Sequence, residues 1–110
     1  MLKNLLKETI ECLNENGKST SDVLWVGRNY HIYKTKEDVC YKSTWGNFTL
    51  KANFTYDAGF GGNEIPMDLI VVGKDFWLER HEYDGSEWWE FKTMPVKPEE
   101  TKELDLHLYW

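Results

Sequence analysis

The sequence predicts an α+β domain: an N-terminal helix packed on a mainly antiparallel sheet of five or six strands. Three observations carry this expectation. An apolar stripe at helical spacing opens the chain, several later segments alternate apolar and polar residues, and residues 77–91 read as a β-hairpin around Asp84-Gly85. At 110 residues the chain makes a single domain, 1–110, long enough to bury one core without disulfide staples. Aromatic residues are 15% of the chain, a high share that suits sheets and contact surfaces.

Taken in order, Leu2, Leu5, Leu6, Ile10 and Leu13 share one face of a 3.6-residue period, while Lys3, Lys7, Glu8, Glu11 and Glu15 lie mostly off it. A helix over 2–15 follows, stopped by Asn16-Gly17, two residues that tolerate the left-handed conformation of a C-terminal cap. Residues 22–34 and 68–80 align at a constant offset of 46, each an apolar run, then Gly-basic-Asn/Asp, then a second run. The pattern reads as two hairpins, related either by internal duplication or by shared turn chemistry. Residues 35–44 are polar and give no clear element. Phe48, Leu50, Ala52, Phe54 and Tyr56 alternate with polar residues, which predicts a half-buried strand. Residues 57–63 form a glycine-rich loop, with Asp57 placed to anchor it by an Asx-type hydrogen bond. Residues 65–72 read as a central strand. Pro95 and Pro98 break structure, and Leu104, Leu106, Leu108 and Trp110 alternate as a last strand.

A two-residue type I′ turn at Asp84-Gly85 fixes the hairpin register, with Tyr83 opposite Ser86 and pairs counted outward. One face then holds Phe76, Leu78, Arg80, Trp89 and Phe91 and should meet the core, with Arg80 over the Trp89 ring. The other holds Trp77, Glu79, His81, Tyr83, Trp88 and Glu90. It sets Glu79 opposite Glu90, an unfavourable like-charge pair unless something compensates.

The formal net charge is −6. Residues 57–90 hold nine acids against Lys74 and Arg80, so the charge is concentrated around the hairpin. That excludes simple electrostatic binding to nucleic acid or anionic lipid and favours a basic protein surface. No apolar run suits a signal peptide or a membrane span, so the expectation is a cytoplasmic protein with Cys12 and Cys40 as free thiols. The sequons at Asn47 and Asn53 then carry no chemistry.

Motifs for catalysis are weak. Gly59-Phe60-Gly61-Gly62 lacks phosphate-loop spacing and a following helix. His31, His81 and His107 are scattered, and no CxxC or HExxH spacing exists, so no metal site and no cofactor is expected. Neither cysteine has a base beside it. Glu79 and Glu90 have the cross-strand spacing of a retaining-glycosidase pair, but the reading offers no deep cleft for a sugar. No catalytic residue is assigned.

Tyr56-Asp57-Ala58-Gly59-Phe60-Gly61-Gly62, Asp68-Leu69-Ile70-Val71-Val72-Gly73 and the hairpin from Trp77 to Phe91 resemble a family of small uncharacterised proteins of prophages and mobile elements in low-GC Gram-positive bacteria. The likeness covers roughly residues 20–98 and is most specific in the hairpin. It implies a small cytosolic protein made in a bacterial host during phage–host conflict. In that setting, acidic proteins such as anti-CRISPR inhibitors act by occupying host machinery. The expected function is non-enzymatic binding of a basic host-protein surface. Trp77, Tyr83 and Trp88 would be anchors, with Glu79, Glu82, Asp84, Glu87 and Glu90 steering association. The alternative is a small-ligand or carbohydrate-binding domain on the tryptophan platform, which could be a homodimer.

Overall fold

The computed structural model describes residues 1–32 and 37–107. It is α+β, as expected. A five-stranded antiparallel sheet runs in the order β3 (Glu37–Ser43), β2 (Val23–Ile32), β5 (Leu69–Gly73), β6 (Phe76–Tyr83) and β7 (Ser86–Thr93). Two helices, α1 (Leu5–Glu15) and α2 (Trp45–Ala52), pack on this sheet. A separate two-stranded ribbon joins β1 (Leu2–Asn4) to β4 (Thr55–Asp57).

The N-terminal helix starts three residues later than the stripe suggests. Asn4 caps it, its side-chain oxygen accepting from the Lys7 amide at 3.0 Å, and the residues before the cap pair with β4 instead. Leu5, Thr9 and Leu13 form the buried stripe, and Leu2 is exposed. The stop at Asn16-Gly17 forms as read. Gly17 has φ +73°, and the Lys18 amide returns to the Leu13 carbonyl at 2.9 Å.

Most of the segment 47–56 is helix, not strand. Thr44 caps a helix there, accepting from the Asn47 amide at 3.1 Å, and Phe48 and Ala52 bury one helical turn apart. Alternation of apolar residues at 48, 50 and 52 satisfies period two and also contains the i, i+4 pair that the helix uses. Leu50, which a half-buried strand would cover, is exposed. Of the predicted segment, Thr55 and Tyr56 lie in β4.

The two-hairpin reading of the 46-residue offset also fails. Gly73-Lys74-Asp75 does connect β5 to β6, but Gly27-Arg28-Asn29 runs straight through the middle of β2. A Cβ on Gly27 would sit 2.5 Å from the Tyr41 carbonyl oxygen and 2.7 Å from the Trp25 ring. Glycine at 27 therefore serves close approach inside a sheet. The two segments even face opposite ways: Val26 is buried inward, whereas its counterpart Val72 pairs beside the outward Trp25. The ambiguous stretch before Thr44 supplies edge strand β3. No strand forms over residues 101–107. Leu104 and Leu106 are exposed, and Leu108, Tyr109 and Trp110, like Tyr33 and Lys34 of the first offset segment, lie outside the described residues.

The core lies between the helices and one sheet face: Leu5, Leu13, Val26, Phe48, Ala52, Tyr56, Ile65, Val71, Phe76, Leu78 and Trp89. The opposite sheet face carries neither helix.

Candidate binding face

The hairpin positions the candidate residues. Asp84 and Gly85 both have positive φ, +51° and +84°, as a type I′ turn requires. The register runs Tyr83–Ser86, Glu82–Glu87, His81–Trp88, Arg80–Trp89, Glu79–Glu90 and Leu78–Phe91, matching the count from the turn. The glycine-rich loop braces it. The Asp57 carboxylate accepts from the Gly59 amide at 2.9 Å, the Asx-type anchor expected, and from the N-terminal amine at 2.8 Å. The amine and the Gly59 amide hold the Asp57 carboxyl below its ordinary range. The Gly61 amide then donates to the Gly85 carbonyl at 3.1 Å.

The inward face is a buried ionic hub. Arg80 is 3% exposed and Glu87 2%. Arg80 Nη2 donates to Glu87 Oε1 and to the Tyr56 hydroxyl, each at 3.0 Å, and Nη1 reaches Glu8 Oε2 at 3.5 Å. Its guanidinium lies 4.9 Å from the Trp89 ring centroid, the cation–π contact expected from the sequence. Glu87 also accepts from the amides of Glu64 at 2.7 Å and Ile65 at 3.1 Å, tying the hairpin to the loop before β5. Burial and a hydrogen bond to Glu8 push the Tyr56 hydroxyl pKa far above the ordinary tyrosine range. Glu87 is thus removed from the surface, and its assignment as a steering acid is corrected. A carboxylate beside a two-residue turn reads as solvated, and only the loop that folds over it shows otherwise.

The outward face brings together Trp77, Glu79, His81, Trp88 and Glu90, all half-buried. Trp77 Nε1 donates to Glu79 Oε1 at 2.7 Å, and Trp88 Nε1 donates to Glu90 Oε2 at 3.1 Å. His81 stands between the two acids, with Nε2 at 2.7 Å from Glu79 Oε2 and Nδ1 at 3.5 Å from Glu90 Oε2. Lys92 Nζ completes the set at 3.1 Å from Glu90 Oε1. The like-charge pair is therefore compensated within the sheet. The Trp77 indole holds the Glu79 carboxyl below its ordinary range, with His81 adding to the effect; Lys92 and then the Trp88 indole do the same for Glu90. Each acid fixes the ring plane of one tryptophan. Tyr83 and Asp84 project at the turn end, whereas Glu82, paired with the inward Glu87, falls on the helix side and accepts from the Gly85 amide at 3.2 Å.

Sequence reasoning stopped at the hairpin and missed the rest of this face. Strand pairing aligns Trp25, Val72, Trp77 and Lys92 in one row across the sheet, and Lys42, Gly27, Ile70, Glu79 and Glu90 in the next. Trp25 lies over the space that Gly27 leaves open, with Lys42 Nζ 5.8 Å from its ring centroid. Three tryptophans, Ile70 and Val72 thus share one helix-free surface. The available signal was the run Leu69-Ile70-Val71-Val72: a strand apolar on both sides needs cover on both.

Among the described residues, no group of three His, Cys, Asp or Glu side chains could hold a metal ion, and no helix is long and apolar enough to cross a membrane. Burial, with Glu15 and Glu8 adding to it, raises the Cys12 thiol pKa, which lowers its thiolate fraction. Comparison with protein-family models, curated proteins and solved structures finds no match to this chain.

Proposed function

We propose that the protein is a non-enzymatic binding module whose helix-free sheet face docks on a host protein. The resemblance to prophage and mobile-element proteins supplies the setting: the bacterial cytoplasm, and inhibition of host machinery in the manner of anti-CRISPR proteins. One observation carries the reading. Trp25, Trp77 and Trp88 stand half-buried with Ile70 and Val72 on a helix-free face, and the part of three indoles left in water there is apolar surface that a partner can still cover.

The hydrogen bonds from Trp77 and Trp88 to Glu79 and Glu90 support it further. Rings already held in one orientation lose little freedom on binding. Both carboxyls are also held in their charged form, the reverse of a raised pKa that would suit a general acid. The partner has an apolar centre for the indoles and a basic rim facing Asp84 and the two sheet acids, with Glu82 at the turn adding to the field that steers it in. Its basic patch can be a nucleic-acid groove; the module itself binds neither nucleic acid nor membrane and needs no cofactor.

A pull-down from host lysate with wild type and Trp88→Ala side by side tests this. A protein retained at low salt, lost at high salt and absent with Trp88→Ala is the expected result. Equal capture by both chains sinks the proposal. A second reading has one observation in its favour: Trp25 and Trp77 are two strands apart in one row, about 10 Å, a spacing suited to stacking sugar rings. Quenching of tryptophan fluorescence by an oligosaccharide panel, abolished by Trp25→Ala, would select it.

A further inference from the structure

An apolar cleft of about 500 Å³ opens on the helix side of the sheet, between α2, β2, β3 and the loop before β5. Val26, Phe48, Ile65 and Leu69 form its floor, and the exposed rings of Tyr41 and Phe54 stand at its mouth. Beside it runs β3, an edge strand with β2 on one side and no described strand on the other. An open edge next to an apolar cleft is a site for an added strand.

The chain carries a segment of matching pattern. After β7 it leaves the body, and Leu104 and Leu106 are 76% and 67% exposed. They alternate with Glu103 and Asp105, so in an extended conformation the leucines share one side and the acids the other. We infer that residues 103–107 of one copy add as a strand to the β3 edge of a second copy, laying Leu104 and Leu106 over the mouth of its cleft.

Both sides of the added strand find suitable neighbours. The leucines fall on the helix side, against Tyr41, Phe54 and the cleft. The acids fall on the outer side, where Lys42 lies beside Trp25. The donor of the arm is a second copy because β3 and β7 are opposite edges of the sheet. An arm leaving β7 for its own β3 would run about 19 Å across a sheet face, and within one copy Leu104 and Leu106 stay exposed instead of pairing there. The same arm meets another copy's edge directly, and reciprocal exchange closes as a two-fold dimer. The inference does not rest on the proposed host-protein face, although the added strand's acids meet it at Lys42 beside Trp25.

Sedimentation velocity on the full chain, from low micromolar to several hundred micromolar, tests it. A concentration-dependent dimer is expected. Leu104→Asp with Leu106→Asp should raise its dissociation constant by at least about tenfold. Lys42→Glu should weaken it, and adding Glu103→Lys and Asp105→Lys to Lys42→Glu should restore it. A monomer at every concentration overturns the inference. So does a dimer indifferent to the arm substitutions, or one that the charge exchange fails to restore.

Discussion

Arg80 and Glu87 show how far a residue's role depends on what lies over it. Each is a poor candidate for burial by type, yet both are nearly sealed from water and joined at 3.0 Å. Removing one partner of a buried pair strands the other charge. Glu87→Ala and Arg80→Ala should therefore each lower folding free energy by about 3–5 kcal/mol, seen as a fall in urea midpoint. Glu87 in addition loses its bonds to the Glu64 and Ile65 amides, so Glu87→Gln, which keeps an acceptor there, should cost less than Glu87→Ala. Arg80 Nε, buried without a hydrogen-bond partner among the described residues, is a cost the hub already carries. Arginine on the core face was legible from the turn count, and so was its contact with Trp89. The tyrosine and glutamates that complete the hub come from α1, β4 and β7, so no local pattern announces them.

The outward acids behave differently because they remain near solvent. Glu79 and Glu90 both have folded pKa values below the ordinary 4.5. For a depressed carboxyl, the stabilisation is present above the unfolded value and is lost as pH falls through the folded one. The indole anchors should thus hold at neutral pH and release below about pH 4.5. Tryptophan fluorescence should shift across that acid range before global unfolding, and Glu79→Gln with Glu90→Gln should flatten the shift. An unchanged titration in the double variant would show that the acids do not hold the rings.

At the scale of elements, the hairpin was readable and α2 was not, for a definite reason. A two-residue Asp-Gly turn sets both the backbone and the register, so every pair from Tyr83–Ser86 outward follows from one local choice. In residues 47–56 the same apolar positions serve two periods. The decision falls to the Thr44 cap and to the packing of Phe48 against Trp45, at 5.4 Å between ring centroids. The terminal segment fails in the opposite way: alternation is present, but among the described residues nothing pairs with residues 104–107. Gly85→Ala tests the turn. Residue 85 sits at φ +84°, and a Cβ there would lie 2.7 Å from Gly61 Cα, so backbone strain and a clash with the loop combine. A loss of about 2 kcal/mol or more is expected by urea titration, more than strain alone costs. Gly27→Ala should also destabilise, through the Tyr41 carbonyl, and would disturb the bed of the Trp25 ring without touching any turn.

At the scale of the whole molecule, the sheet has one face under helices and one face that no described helix covers. The inner face is closed by α1 and α2 around Leu78, Val71 and Val26, and it accounts for the folding of a chain this size. The outer face repeats the apolar chemistry of the inner one at Trp25, Ile70, Val72, Trp77 and Trp88, with no described element covering it. The two faces should therefore respond differently to truncation. Leu78→Ala, at a fully buried site, should cost about 2–5 kcal/mol of stability. Trp25→Ala and Trp88→Ala should lower stability far less and should remove most of the partner affinity, on the order of 2 kcal/mol or more each, because truncating a central aromatic anchor is costly. Glu82→Gln and Asp84→Asn, at the turn rim, should leave the dissociation rate nearly unchanged and reduce the salt dependence of association. Calorimetric binding and urea titration on the same five variants separate the faces. Anchor variants that unfold as readily as Leu78→Ala would place the tryptophans in the structural core and leave the outer face without a partner to explain.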